Sequence, residues 1–304
     1  MRQVCFGIDI GGTTVKLGLV SREGDLLEKR EFSTQRELAA AFDDIAANMR
    51  QVLDSFPDAM CIGAGVGVPG PVLEQSLVRG CVNLGWGDVD VAQELGRRAG
   101  MPVKVENDAN LAALGELWQG GGKGCRNLVL FTVGTGIGGG VICDGRIVSG
   151  ATGGGGEVGH IPTAFHTDWQ CTCGKHGCLE LTASATGIIR AAREFSPFKE
   201  MEKVSAKDVY DAAAAGDENA RRVTEEAGTA LGVAAAILGC VVNPEVILLG
   251  GGVSAAGRAL LDPVEDAFQK NVFPPCRDVR FALAQLGNNA GIFGGAALFF
   301  TQSA

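Results

Sequence analysis

The chain is 304 residues long, 46% hydrophobic and 20% charged, which excludes a disordered polar chain and leaves room for two domains of ordinary size. Its net charge is −9, with no run of basic residues longer than two, which argues against nucleic acid as the main partner. Glycine supplies 46 residues, about twice the usual share of roughly 7%, and clusters beside apolar runs, marking tight turns against ligands rather than linkers.

The N-terminus opens directly on a strand pattern, VCFGIDI. It has neither a signal-peptide layout nor an apolar span long enough for a membrane, so a cytoplasmic protein with no membrane partner is expected. Most of the 10 cysteines are scattered singly through apolar segments, which predicts free thiols and no disulfide framework. The first strands read as a meander over Val4–Ile10, Val15–Val20 and Leu26–Phe32. Leu38, Phe42, Ile45, Met49, Val52 and Phe56 then recur at helical spacing. CIGAGVGVPG is a buried-strand run, and Val103–Glu106 is a strand ending at Asn107-Asp108, where a helix over Ala109–Trp118 opens. NLVLFTVGTGIGGGVICDGRIVSG repeats the opening order of strand, Gly/Thr turn, strand, turn and strand about 120 residues downstream, which suggests two related halves. Helices are expected over Ala183–Glu194, Ala206–Ala214 and Asp217–Val241. A strand-turn VILLGGGVS and a further helix follow, and a Gly/Ala-rich helix Ala290–Phe300 ends the series.

Gly11-Gly12-Thr13-Thr14 invites a phosphate-loop reading, but Lys16 has no glycine before it and Val15, Leu17 and Leu19 alternate at strand period. The turn therefore joins two strands. Gly134 to Gly139, GTGIGG, formally satisfies G-x-G-x-x-G, yet a strand follows it where the dinucleotide fingerprint needs a helix. Each turn alone could be purely structural. As a pair carrying threonine hydroxyls, they suggest a nucleotide gripped between two lobes, with Asp9 placed to hold Mg2+ through water. The glycines of VILLGGGV offer a bare surface for a nucleoside.

All three histidines, His160, His166 and His176, fall near Cys171, Cys173 and Cys178. One histidine with these thiols would complete a closed tetrahedral site for structural Zn2+. Glu157 lies just before that cluster and Glu180 just after it, so the loop could position carboxylates for sugar hydroxyls. Asn107-Asp108 could simply cap a helix. In the functional reading Asp108 is a general base, kept ionised by the helix N-terminus.

Together DIGGTTVKLG, VENDANLAALGE, VGTGIGGGV, GGGGEVGHI and CTCGKHGCLE resemble the ROK group of repressors, open reading frames and sugar kinases, essentially end to end. Within it the likeness is greatest to bacterial ATP-dependent glucokinases. The resemblance implies an α/β, actin-like or hexokinase-type ATPase fold with two lobes and a cleft between them. The small lobe would comprise 1–110 plus 290–304 and the large lobe 111–289. It implies ATP and Mg2+ at Asp9, Gly11, Gly12, Thr13, Thr14, Lys16, Gly134, Thr135 and Gly136, with the nucleoside near Gly251 and Gly252. Sugar contacts carry over onto Asn83, Asn107, Asp108, Glu157, His160 and Glu180, with Asp108 as base. Zinc carries over onto His160, Cys171, Cys173 and Cys178, and no role onto His166 or His176. The activity implied is phosphorylation of a hexose at its 6-hydroxyl, glucose first, with an N-acetylhexosamine or other hexose as the alternative. A homodimer is the family expectation. Repressors of the group carry an N-terminal helix-turn-helix, and this sequence begins at the first kinase strand, so a repressor is disfavoured; a catalytically dead sugar sensor is disfavoured because both Asp9 and Asp108 are present. One departure is Gly155, where the group usually has Ala, which is expected to loosen the loop slightly.

Overall fold

Strand β1 (Arg2–Ile10) pairs with β2 (Thr14–Ser21), and β2 with β3 (Leu26–Ser33), all antiparallel, giving the expected meander. The computed structural model describes residues 1–81 and 84–301. Helix α1 (Leu38–Asp54) buries Phe42, Ile45, Met49 and Val52, the face read from their spacing. Strand β4 (Ala59–Val68) then lies parallel to β1, and β8 (Val103–Asn107) parallel to β4. The sheet order is β3-β2-β1-β4-β8.

Between β4 and β8 come β5 (Val72–Leu73), β6 (Leu77–Val78), β7 (Val89–Asp90) and helix α2 (Val91–Ala99), none of them legible beforehand. Two-residue strands carry no period to read. Helix α3 (Asp108–Gln119) follows β8.

The second sheet repeats the first. Strands β9 (Leu128–Val133), β10 (Ile137–Cys143), β11 (Arg146–Ile147), β12 (Val246–Gly250) and β13 (Arg280–Leu283) take the order β11-β10-β9-β12-β13. As in the first sheet, the last two strands are added in parallel, β12 on β9 and β13 on β12. Ile137–Cys143 is a strand, so the GTGIGG turn does not open a helix.

Helix α5 (Ala185–Ala192) falls within the expected helix Ala183–Glu194, and a short helix α4 (Leu179–Ala183), which was not expected, precedes it. Ser184 breaks the run: its backbone is extended (φ −74, ψ 165) and its Oγ accepts from Gly187 N–H at 3.1 Å, capping α5. Helices α6 (Ala206–Ala215), α7 (Glu218–Val242) and α8 (Arg258–Asn271) follow. Among the described helices α7 is the one long and apolar enough to cross a membrane. Here that apolarity packs a core. Gly228 and Gly232 let α8 lie against it, since added Cβ atoms would fall 2.6 Å from Pro263 Cγ and 2.4 Å from Val264 O.

Contacts divide the chain into two units: Met1–Arg126, Gly140–Gly156 and the chain from Leu286; and Asn127–Gly139 with Glu157–Gln285. The last helix, α9 (Ala290–Phe300), thus joins the first unit. An added Cβ on Gly7 would lie 1.7 Å from Ile292 O, and one on Gly294 1.8 Å from Leu111 O. The expected lobe boundary at 110 falls inside α3. The contacts instead keep α3 whole with α9, because the two helices touch backbone to backbone through Gly115 and Gly294.

Candidate active site

The expected residues form two sets, one in each unit. In the first unit Asp9, the penultimate residue of β1, lies opposite Lys16 on β2, whose Nζ is 3.8 Å from Asp9 Oδ2. Burial pushes the Asp9 carboxyl above its ordinary value, while the Lys16 charge pulls it back. Asp9 also abuts the first turn of α9, where an added Cβ on Gly291 would lie 3.2 Å from Asp9 Cβ. That helix end favours the anion.

Beyond Asp9 the turn is braced by its own backbone and by Thr34, the residue after β3. Gly11 N–H donates to Thr14 O at 3.0 Å, Thr34 N–H to Thr13 O at 3.0 Å, and Thr34 Oγ to Gly11 O at 2.7 Å. With its base tied down, the tip at Gly12 and Thr13 remains exposed. A cavity of about 410 Å3 opens beside it, lined by Gly12, Thr34, Gln35, Arg36, Leu84 and Gly85. Asn83 lies outside the described residues.

At the β8–α3 junction Asn107 caps the helix, its Oδ1 accepting from Ala109 N–H at 2.9 Å and Asn110 N–H at 3.1 Å. Asp108 is the first residue of α3, and its Oδ1 accepts from Ala109 N–H at 2.9 Å. The capping reading of Asn107 therefore holds alongside any functional one. Sequence reasoning missed the support beneath. Glu106 is only 2% exposed, and its carboxylate accepts from Asn107 N–H (2.9 Å), Asn110 Nδ2 (3.1 Å) and Ser149 Oγ (2.9 Å). A buried carboxylate needs such partners. This one ties the β8–α3 junction to Ser149, which opens the glycine run leading to Glu157.

Gly155, in that run, does not loosen it. Its N–H donates to Ser149 O at 2.8 Å, and an added Cβ would fall 2.0 Å from Val148 O. The expectation of a slacker loop is corrected: the backbone packs too closely there for alanine.

In the second unit the turn Gly134-Thr135-Gly136 closes through Gly134 N–H to Gly136 O at 2.9 Å. Two bonds from α5 hold it: Ala185 N–H to Gly134 O and Thr186 Oγ to Thr135 O, both 2.8 Å. A cavity of about 550 Å3 adjoins it, lined in part by Gly134, Thr135, Lys207, Tyr210, Gly252 and Val253. That volume suits a nucleoside. Gly251 instead packs on β9: its φ is 83, and a Cβ would lie 2.5 Å from Val133 O.

The thiol cluster forms as expected. Ligand atoms of His160, Cys171, Cys173 and Cys178 all lie within 4.8 Å of one another. Cys173 and Cys178 Sγ are 3.6 Å apart, and His160 Nδ1 is 3.6 Å from Cys171 Sγ. Tetrahedral Zn2+ with Zn–S near 2.3 Å sets sulfurs about 3.8 Å apart, so these residues fit the ion. Burial and the neighbouring Glu180 carboxylate push the Cys171 thiol up to about 12, whereas the Lys175 backbone N–H leads in lowering Cys173. His166 and His176 stand apart. His166 stacks on Trp169 with ring centres 3.7 Å apart, and His176 bridges to Gln170.

Around His160 the ring divides its two nitrogens. Nδ1 faces the thiols, and Nε2 lies 3.9 Å from Glu157 Oε2. Glu180 Oε1 is 2.9 Å from Cys171 Sγ and 3.8 Å from His160 Nδ1. Thr186 escaped the sequence reading, although Ser184 ahead of Ala185-Thr186-Gly187 is a helix-start signal that would have moved the expected start from Ala183 to Ala185.

The model of the ROK family matches residues 5–302. The chain belongs to the ROK family. It is 40% identical to a glucokinase of Halalkalibacterium halodurans over 97% of this chain and 94% of that protein. Among solved structures it resembles a ROK hexokinase from Thermus thermophilus, with TM-score 0.81, 31% identity and 97% of each chain covered. It also resembles a ROK glucokinase from Streptomyces griseus in complex with glucose and AMPPNP, with TM-score 0.77, 30% identity, and 97% and 98% coverage. With the same strand order in both sheets, the ROK chain has the actin-like, hexokinase-type ATPase fold.

Proposed function

We propose that this ROK protein is an ATP-dependent hexokinase that transfers the γ-phosphoryl group to the 6-hydroxyl of glucose. The observation that carries the reading is the braced turn Gly134–Gly136, which adjoins a nucleoside-sized cavity in a chain similar end to end to glucokinases. Asp108 would accept the proton of the 6-hydroxyl, oriented by Asn107 and Glu106 beneath it. Asn107, Glu157, His160, Glu180 and, outside the described residues, Asn83 would hold the sugar hydroxyls. Positioning should outweigh basicity, because the transition state of phosphoryl transfer is loose.

Asp9, with Lys16 beside it, is the group that would hold Mg2+, and the ion would supply charge neutralisation on the nucleotide phosphates. Gly11, Gly12, Thr13 and Thr14, with Gly134, Thr135 and Gly136, would give backbone and hydroxyl donors to the phosphates, and Gly252 a flat floor to the nucleoside. His160, Cys171, Cys173 and Cys178 would hold a structural zinc ion, which would pin the segment between Glu157 and Glu180. His160 would then serve metal through Nδ1 and sugar through Nε2. The family resemblance adds a cytoplasmic homodimer to the reading, which sedimentation of the purified protein tests.

The experiment is an ADP-release assay over a panel of hexoses and N-acetylhexosamines. Glucose is expected to give the highest kcat/KM, with glucose 6-phosphate as product. Preference for an N-acetylhexosamine would replace the substrate, and no ADP release with any sugar would remove the kinase reading.

A further inference from the structure

The sugar-side carboxylate and the nucleotide turn of the second unit are joined by one short run of chain. Glu180 sits on α4, and its backbone carbonyl accepts from Ser184 N–H at 3.3 Å. Ser184 caps α5 through Gly187 N–H. The next two residues grip the turn, Ala185 N–H on Gly134 O and Thr186 Oγ on Thr135 O, each at 2.8 Å. At the far end of the turn, a Cβ on Gly136 would meet Glu180 Oε2 at 2.9 Å. The circuit closes on itself.

Peptide planarity gives this arrangement a consequence. In a trans peptide the C=O and the following N–H point in opposite directions. With the carbonyls of Gly134 and Thr135 both drawn to the start of α5, the N–H groups of Thr135 and Gly136 are turned away from it. Successive amides so directed make an anion-binding concavity. The first turn of α5 thereby sets the aim of the donors that the kinase reading assigns to phosphate.

We propose that Thr186 is a positioning residue that couples the two substrates: a sugar bound on Glu180 fixes the α4–α5 junction, and through Thr186 this orients the Thr135 and Gly136 amides toward the nucleotide phosphates. The proposal rests on the kinase reading. Coupling of this kind is reciprocal, so each ligand tightens the other by the same factor, typically ~5–150-fold.

The test is calorimetric titration of a non-hydrolysable ATP analogue with Mg2+, with and without saturating glucose, in wild type, Thr186→Val and Thr186→Ser. Valine keeps the shape of threonine and removes the donor; serine restores it. Wild type is expected to bind the analogue several-fold to a hundredfold more tightly with glucose present. In Thr186→Val that factor should fall close to one, with glucose alone binding nearly as in wild type and the analogue alone binding more weakly, and Thr186→Ser should recover most of the coupling. Undiminished coupling in Thr186→Val, or two ligands that bind wild type independently, overturns the proposal. Loss of both single-ligand affinities in Thr186→Val also overturns it, because the bond would then only hold the fold. Failure of wild type to bind either ligand is a different result, which removes the kinase reading itself.

Discussion

Gly136 leaves room for Glu180 at the Gly134–Gly136 turn: a Cβ on Gly136 would stand 2.9 Å from Glu180 Oε2, whereas one on Gly134 would meet nothing within 4 Å. The two glycines of one turn therefore answer differently to substitution. Gly134→Ala fills only open space, which the proposed function assigns to phosphate oxygens, and should raise the ATP KM at least several-fold with the glucose KM nearly unchanged. Gly136→Ala must also displace Glu180 and should raise both. Steady-state kinetics with each substrate varied checks this, and a glucose KM left unmoved by Gly136→Ala would dissociate Glu180 from the sugar.

Gly155 gives a prediction against the family habit. Alanine is the usual residue of the group at that place, yet here its Cβ would fall 2.0 Å from Val148 O and 2.7 Å from Ser149 C. Backbone has little freedom to yield, and overpacking of this kind costs about 1–3 kcal/mol. Gly155→Ala should lower Tm and raise the glucose KM, since the same run starts at the Ser149–Glu106 bond and delivers Glu157. A Tm equal to wild type would mean that the run relaxes freely.

Asp9 should reveal itself through pH. Burial raises its carboxyl above the ordinary value, so the fold favours the protonated form. Below the ordinary carboxylate range both folded and unfolded chains are protonated there and Asp9 carries no penalty. As pH rises through the raised folded value, the ionised group makes the fold less stable than it was. Asp9→Asn removes that ionisation. Its Tm at neutral pH should equal or exceed that of wild type, the difference closing in acid, while ATP turnover collapses. Thermal melts across pH measure it. A neutral-pH Tm well below wild type would show that the Lys16 pair outweighs burial.

One zinc per chain should copurify with untagged protein, and Cys173→Ala should lose it. Because Cys178 adjoins α4 and α4 leads through Ser184 to the turn, loss of metal should weaken ATP binding as well as sugar binding. This goes beyond a purely sugar-side effect. Elemental analysis paired with titration of each ligand decides it; retained zinc in Cys173→Ala would mean that the ligands are others.

The sequence carried the fold where periodicity was long. The meanders, α1 and the repeated Gly/Thr turn were legible because buried Phe42, Ile45 and Met49, or alternating Val15, Leu17 and Leu19, repeat at a fixed spacing. Strands β5 to β7 were not, because two residues make no period. The thiol cluster was legible from spacing and likeness. Glu106, Ser149 and Thr186 were not, since what matters at each is one hydrogen bond to a residue distant in the chain, for which composition has no signal. The loosened Gly155 failed for the opposite reason: a glycine suggests freedom until its neighbours are known.

Asp108 bears the central claim. Its Oδ1 accepts from Ala109 N–H at 2.9 Å, a bond that asparagine can keep, so Asp108→Asn removes the proton acceptor with little change in shape. The measurement is kcat of Asp108→Asn on glucose, with glucose affinity determined separately by calorimetry. General-base loss predicts a fall of ~10²–10⁴-fold in kcat with glucose affinity kept within a few-fold. A kcat close to wild type would contradict the assignment of Asp108 as base and, with it, the mechanism proposed for this site.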